Sequence, residues 1–104
     1  MPLSNQLELR HIRYFLAVAE ELHFRKAADK LFISQPGLSR QIKKMEADLG
    51  IQLFKRHNRN VELTEAGIYL NQEFRRVLVE MEGIISHAQL IPKGMLGQLR
   101  FGYI

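Results

Sequence analysis

The run from Ser34 to Gly50 constrains this chain more than any other stretch, because the start, faces and stop of a helix are all written into it. Ser34 is a preferred N-cap, since its hydroxyl can accept from a first-turn N–H that has no intrahelical partner. Pro36 is tolerated in the first turn, where its missing N–H is no loss, and Gly50 suits the left-handed residue that follows a helix. At about 100° per residue, Leu38, Ile42, Met45 and Leu49 fall on one side. Pro36, Ser39, Arg40 and Lys43 fall on the other, with Glu46 and Asp48 arriving only near the C-terminal end. A helix that presents its N-terminal residues to base edges in the major groove needs this polarity. A solvated amphipathic surface helix with a basic patch has the same wheel.

The residues upstream separate these readings. The segment Arg25-Lys26-Ala27-Ala28-Asp29-Lys30-Leu31 reads as a short helix, and Phe32-Ile33 lead directly into the Ser34 cap. The connection is as short as a helix-turn-helix requires. Ala27 and Ala28 are small where the two helices must cross closely, Leu31 and Ile33 supply a wedge, and Phe24 is expected to close the side toward a preceding helix. In that first helix Leu9, Ile12, Phe15, Leu16 and Ala19 recur at helical spacing and are expected to pack across the pair.

Charge is distributed to match. The chain carries 15 Lys+Arg against 11 Asp+Glu, net +4, yet residues 35–60 alone hold six basic and two acidic groups. The excess is therefore a footprint on the capped helix and the segment after it, as expected for a polyanionic partner. A membrane surface would ask for large apolar residues beside the basic ones on the exposed face, and that face has none. The chain contains neither an apolar run long enough to span a bilayer nor a signal-peptide pattern, and a cytoplasmic location is expected. Cysteine is absent, which excludes disulfides and zinc–thiolate sites.

After Gly50, short apolar-alternating runs flank Asn58-Arg59-Asn60, predicting a small β-hairpin with Leu53, Phe54, Val61 and Leu63 partly on the core. Arg56 and Arg59 are expected near its tip, where they could reach phosphates or a narrow minor groove. From Thr64, a helix cap, the pattern becomes that of a long helix. Leu70, Phe74, Val77, Met81, Ile84 and Ala88 step by alternating four and three, a seven-residue repeat flanked by Leu78 and Ile85. A compact part of roughly sixty residues buries only about 60% of its unfolded surface and can cover only part of that stripe. Pairing with a second copy is the expected use of the rest. Pro92, Gly94 and Gly97 mark a hinge, and residues 98–104 alternate like the first strand of a further domain cut short by the chain's end.

The stretch from Leu9 through the long helix, with the motifs "AVAE", "RKAADKL", "SQPGLSRQI", "LFKR" and "LTEAG" and the tail "GQLRFGYI", resembles the N-terminal region of LysR-type transcriptional regulators. The resemblance implies a mainly α winged helix-turn-helix over residues 7–64, with the helix-turn-helix itself near 24–43. It implies a linker helix over 65–91 that pairs in a dimer, and a hinge with a truncated effector-domain strand over 92–104. It implies double-stranded promoter DNA as partner, bound by a homodimer that can form a tetramer in the intact protein. A small-molecule effector would act only through the missing C-terminal domain, and no cofactor, metal or membrane is implied. Residue by residue, the resemblance places Gln35, Pro36, Ser39 and Arg40 at the groove and Arg59 on the wing; on the wheel alone Gln35 falls toward the core edge. With the helical-wheel reading, the candidate DNA contacts are Ser34, Gln35, Pro36, Ser39, Arg40, Lys43, Arg56, Arg59 and Arg25. Two positions depart from the family pattern. Gly37 stands where Ala or Pro is frequent, and Arg25 where Thr or Ser is frequent, which leaves the cap of the second helix open and Arg25 free to touch a phosphate.

Two other classes fit less well. His11, His23, His57 and His87 lie on separate elements without metal-ligand spacing, no glycine-rich phosphate loop is present, and Glu20-Glu21 reads as an exposed helix end. An enzyme is therefore not expected, since catalysis also needs a concave pocket of tuned groups. A dimerisation-only helical module accounts for the long stripe and leaves the basic face unexplained.

Overall fold

The computed structural model describes residues 7–57 and 60–94. In chain order they form α1 (Leu9–Glu21), α2 (Phe24–Leu31), α3 (Gln35–Leu49), β1 (Phe54–His57), β2 (Asn60–Leu63) and α4 (Glu65–Leu90), then a short 3-10 turn, Ile91–Lys93. This is a winged helix-turn-helix: three helices, then an antiparallel hairpin in which Phe54 pairs with Leu63 and His57 with Asn60. The expected strand over 98–104 lies outside the described residues.

The tight turn between α2 and α3 is made by backbone, not by a glycine. Phe32 takes a left-handed conformation (φ 59°) so that its N–H and that of Ile33 can reach back to Asp29 and Ala28 carbonyls at 3.2 and 3.1 Å. Ser34 then caps α3, its Oγ accepting from Gly37 N at 3.0 Å, and Gly50 ends it at φ 67°. Ala27 and Ala28 are fully buried where the helices cross. A left-handed conformation costs a side chain with a Cβ about 1–2 kcal/mol, and the Phe32 ring recovers none of it by packing, being 94% exposed. Phe32→Asn is therefore expected to stabilise the fold by about 0.5–1 kcal/mol, read as a raised midpoint in thermal or urea unfolding. An unchanged or lowered midpoint would show that the ring contributes something the folded chain alone does not reveal.

The core is aromatic at its centre. Phe15 of α1 packs on Phe54 of β1 with ring centroids 5.4 Å apart, and edge-on to Phe74 of α4 at 6.0 Å. Leu38, Ile42 and Met45 of α3 and Leu53 before the wing complete it. One expectation needs correction. Leu9 is exposed, and the buried face of α1 instead includes His11 and Val18. His11 is tolerated there because both ring nitrogens are satisfied: Nδ1 accepts from Glu8 N at 3.0 Å, so Nε2 carries the proton it donates to Gln41 Oε1 at 3.0 Å. The Phe24 ring is buried and meets Phe54 at 6.0 Å, joining the start of α2 to the wing.

The chain divides into two compact units at Phe74 and Arg75. In the first, α4 begins at a close contact with the wing: Thr64 N donates to Leu53 O at 3.0 Å, and Thr64 Oγ1 donates to Gln52 O and accepts from Gly67 N. In the second, α4 continues without a break to Leu90, and every described residue from Val79 to Gln89 is exposed. Among the described residues no helix is long and apolar enough to cross a membrane.

Candidate nucleic-acid interface

The outward face of α3 is basic because its acids are committed elsewhere. Asp48 pairs with Lys44 one turn back at 3.3 Å. Glu46 sits at the edge of the apolar stripe and turns its carboxylate toward the wing, where Oε2 accepts from Leu53 N at 2.8 Å and Phe54 N at 3.1 Å. Arg40 and Lys43 are exposed, and among the described residues no ion pair engages either. Ser34, Gln35 and Pro36 are exposed at the start of the helix, with Ser39 half-buried one turn on. Gln35 thus escapes the core edge to which the wheel assigned it.

Gln35 and Ser39 border a concavity of about 570 Å³ whose other walls include His23, Phe24, Arg25, Arg56 and Asn60. The fold brings together here four residues from three elements: Arg25 from α2, Gln35 and Ser39 from α3, and Arg56 from β1. The cap of α2 is supplied by His23, whose Nδ1 accepts from Lys26 N at 3.1 Å, which leaves Arg25 exposed and uncommitted to capping. Lys30, in contrast, is tied to Glu20 and Glu21 at 2.8 and 3.2 Å. Those hydrogen bonds raise its pKa above the ordinary lysine value and remove it from the free basic surface.

Arg56 lies opposite Val61, one residue pair from the end of the hairpin ladder. It follows Phe54 on the same face of β1, so the strand that buries Phe54 lays the Arg56 guanidinium over the Phe24 ring, 4.7 Å from its centroid. Its Nη2 lies 4.0 Å from Glu46 Oε1. Arg59, expected near the tip, lies outside the described residues. Sequence reasoning missed Glu46 and Phe24 as parts of this site. The available signal was an acid flanking the Ile42–Met45–Leu49 stripe, a position where a carboxylate needs donors from a neighbouring element.

On the α4 stripe, Leu70 and Phe74 are half-buried within the first unit, and Phe74 is occupied against Phe15. Val77, Met81, Ile84 and Ala88 are exposed.

The sequence pattern of the bacterial regulatory helix-turn-helix protein, lysR family, matches residues 9–68, more than half of the chain. The chain belongs to the LysR family. Among LysR relatives, it is 48% identical over 97 residues to the transcriptional regulator XapR of Escherichia coli, covering 93% of this chain and 33% of XapR. It is 46% identical over 96 residues to BudR of Klebsiella aerogenes, covering 92% of this chain and 67% of BudR. The chain thus spans about a third of XapR's length. A solved BenM DBD in complex with benA site 1 DNA superposes with a TM-score of 0.81 at 48% identity, covering 85% of this chain and 99% of that one. Full-length CbnR complexed with its target DNA gives 0.75 at 38% identity, covering 81% of this chain and 29% of that one. Among the described residues no cluster of His, Asp or Glu is arranged to hold a metal ion.

Proposed function

We propose that this LysR-family chain binds double-stranded promoter DNA sequence-specifically, as one arm of a homodimer. Residues 7–64 form the DNA-binding part, with α3 in the major groove and the wing on the flanking minor groove or backbone; residues 65–91 form the pairing helix. Ser34, Gln35, Pro36, Ser39, Arg40 and Lys43 meet the groove, with Arg25, Arg56 and Arg59 on phosphates or the flank. The protein works in the cytoplasm as a regulator without catalytic activity of its own. A small-molecule effector acts through a further domain of the kind that the longer relatives leave room for, and the homodimer can form a tetramer in the intact protein.

The observation that carries this reading is the uncompensated basic face of α3. Both acids of the helix are used internally, while Arg40 and Lys43 are exposed and no ion pair engages either among the described residues. The likeness to chains solved on DNA supports it.

Arg40→Ala tests it. A bidentate arginine–guanine contact contributes about 1–3 kcal/mol of discrimination, so specific binding should weaken by that amount and preference relax at one position per half-site. Selection of bound duplexes from a random pool, followed by affinity measurements at two salt concentrations, reads both effects. Equal losses on specific and random DNA would reduce Arg40 to a phosphate anchor. Salt-independent or undetectable binding by the wild type would leave a dimerisation-only module.

A further inference from the structure

The wing is seated by the buried Leu53 and Phe54 side chains, and its polar tie to α3 runs through one carboxylate. The chain leaves α3 through Gly50 and reaches β1 by way of Ile51, Gln52 and Leu53, with no ladder joining helix to hairpin. Glu46 spans the gap from both ends. Its backbone carbonyl accepts from Ile51 N at 3.1 Å, and its carboxylate accepts from Leu53 N and Phe54 N. Hydrogen bonds to an ionised acceptor are roughly twice as strong as neutral ones, and this side chain is only 15% exposed. The same carboxylate faces Arg56, whose guanidinium is backed by the Phe24 ring. Glu46 thus both holds the start of β1 by hydrogen bonds and reaches Arg56, the β1 arginine laid over Phe24 of α2.

We infer that Glu46 is a positioning residue for DNA recognition: it touches no DNA, and it sets the wing at the distance and angle from α3 that let both engage one duplex. The inference rests on the DNA-binding reading above. Without the carboxylate, α3 keeps its cap, its apolar stripe and its outward residues, whereas β1 loses two charge-assisted hydrogen bonds and the partner of Arg56. Major-groove contact should therefore survive a change that disables the flanking contact.

Footprinting at saturating protein, on a duplex recovered by this chain from a random-sequence pool, separates the two contacts. Protection of guanine N7 from methylation reports α3 in the major groove, and protection of flanking sugars from hydroxyl radicals reports the wing. Glu46→Ala should lose at least half of the flanking protection while N7 protection is retained, and Glu46→Gln, whose amide oxygen can accept from the same two N–H groups, should restore it. If Glu46→Ala does not fold, Glu46→Asp carries the test, because its shorter reach draws the wing toward α3 and should displace or weaken the flanking footprint alone. Both protections falling together, or neither changing, overturns the proposal. A wild-type footprint with N7 protection and no flanking protection overturns it while the DNA reading stands. No wild-type footprint at all refutes the DNA reading and this inference with it.

Discussion

Gly67→Ala is expected to destabilise the domain by about 2 kcal/mol or more, against the usual gain when alanine replaces glycine in a helix. Alanine is favoured over glycine by about 1 kcal/mol in a helix interior, and at Gly83, where a Cβ would meet nothing within 4 Å, that preference would prevail. At Gly67 a Cβ would fall far inside van der Waals contact with the Leu53 carbonyl oxygen and against Leu63 Cδ2 at 3.0 Å. The carbonyl cannot retreat freely. It accepts from Thr64 N, and the amide of the same residue donates to Glu46, so a shift at Leu53 disturbs both the start of α4 and the anchor of the wing. Overpacking of this kind costs typically about 1–3 kcal/mol, occasionally more. For a domain of this size 2 kcal/mol lowers the thermal midpoint by roughly 10 °C. Calorimetry or circular dichroism reads the effect; a midpoint that rises would mean that α4 does not approach the wing this closely.

That glycine also marks the limit of what the sequence disclosed. The "LTEAG" motif was legible as part of a family pattern, and Thr64 as a helix cap, but the reason for its glycine is an approach between segments separated by fourteen positions. Nothing in local periodicity encodes such a contact. The elements themselves were legible, because capping, helical spacing and turn chemistry act within a few residues: Ser34 with Gly37, Ala27 with Ala28 at the crossing, Leu38 with Ile42 and Met45. Side chains that bridge elements escaped. Phe24 meets Phe54 and Arg56; His11 is a satisfied core residue where Leu9 was expected; Arg56 is laid over Phe24 and toward Glu46 instead of standing free on the wing. Each is amphipathic or aromatic, so its local pattern fits a surface and an interior equally well. Charge offered a further clue that composition alone hides: six basic residues outweigh two acids over 35–60, yet the surface is more one-sided still, since both acids are turned inward or paired.

Met81→Glu is expected to separate the protein into monomers while leaving the helix-turn-helix folded. Met81 lies on α4 beyond the part that packs in the first unit, in line with Val77, Ile84 and Ala88, and is 38% exposed in the single chain with Ile84 at 65%. An apolar row of this spacing left open to water favours a second copy, and a carboxylate at its centre would have to be buried unpaired or prevent the pairing. Because Phe15, Phe54 and Phe74 hold the first unit together without Met81, thermal unfolding of that unit should change little. DNA binding should change greatly. Two linked domains make the second half-site contact effectively intramolecular, raising affinity by about 10²–10⁴-fold without any new interaction. Met81→Glu should therefore lose on the order of 10²-fold or more on a duplex with two half-sites about 34 Å apart or a multiple of it. On a single half-site it should lose almost nothing. Sedimentation of the wild-type chain decides whether the row is an interface at all. A monomer at high micromolar concentration would remove the basis for the proposed dimer, and an affinity loss equal on single and paired half-sites would assign Met81 to the fold.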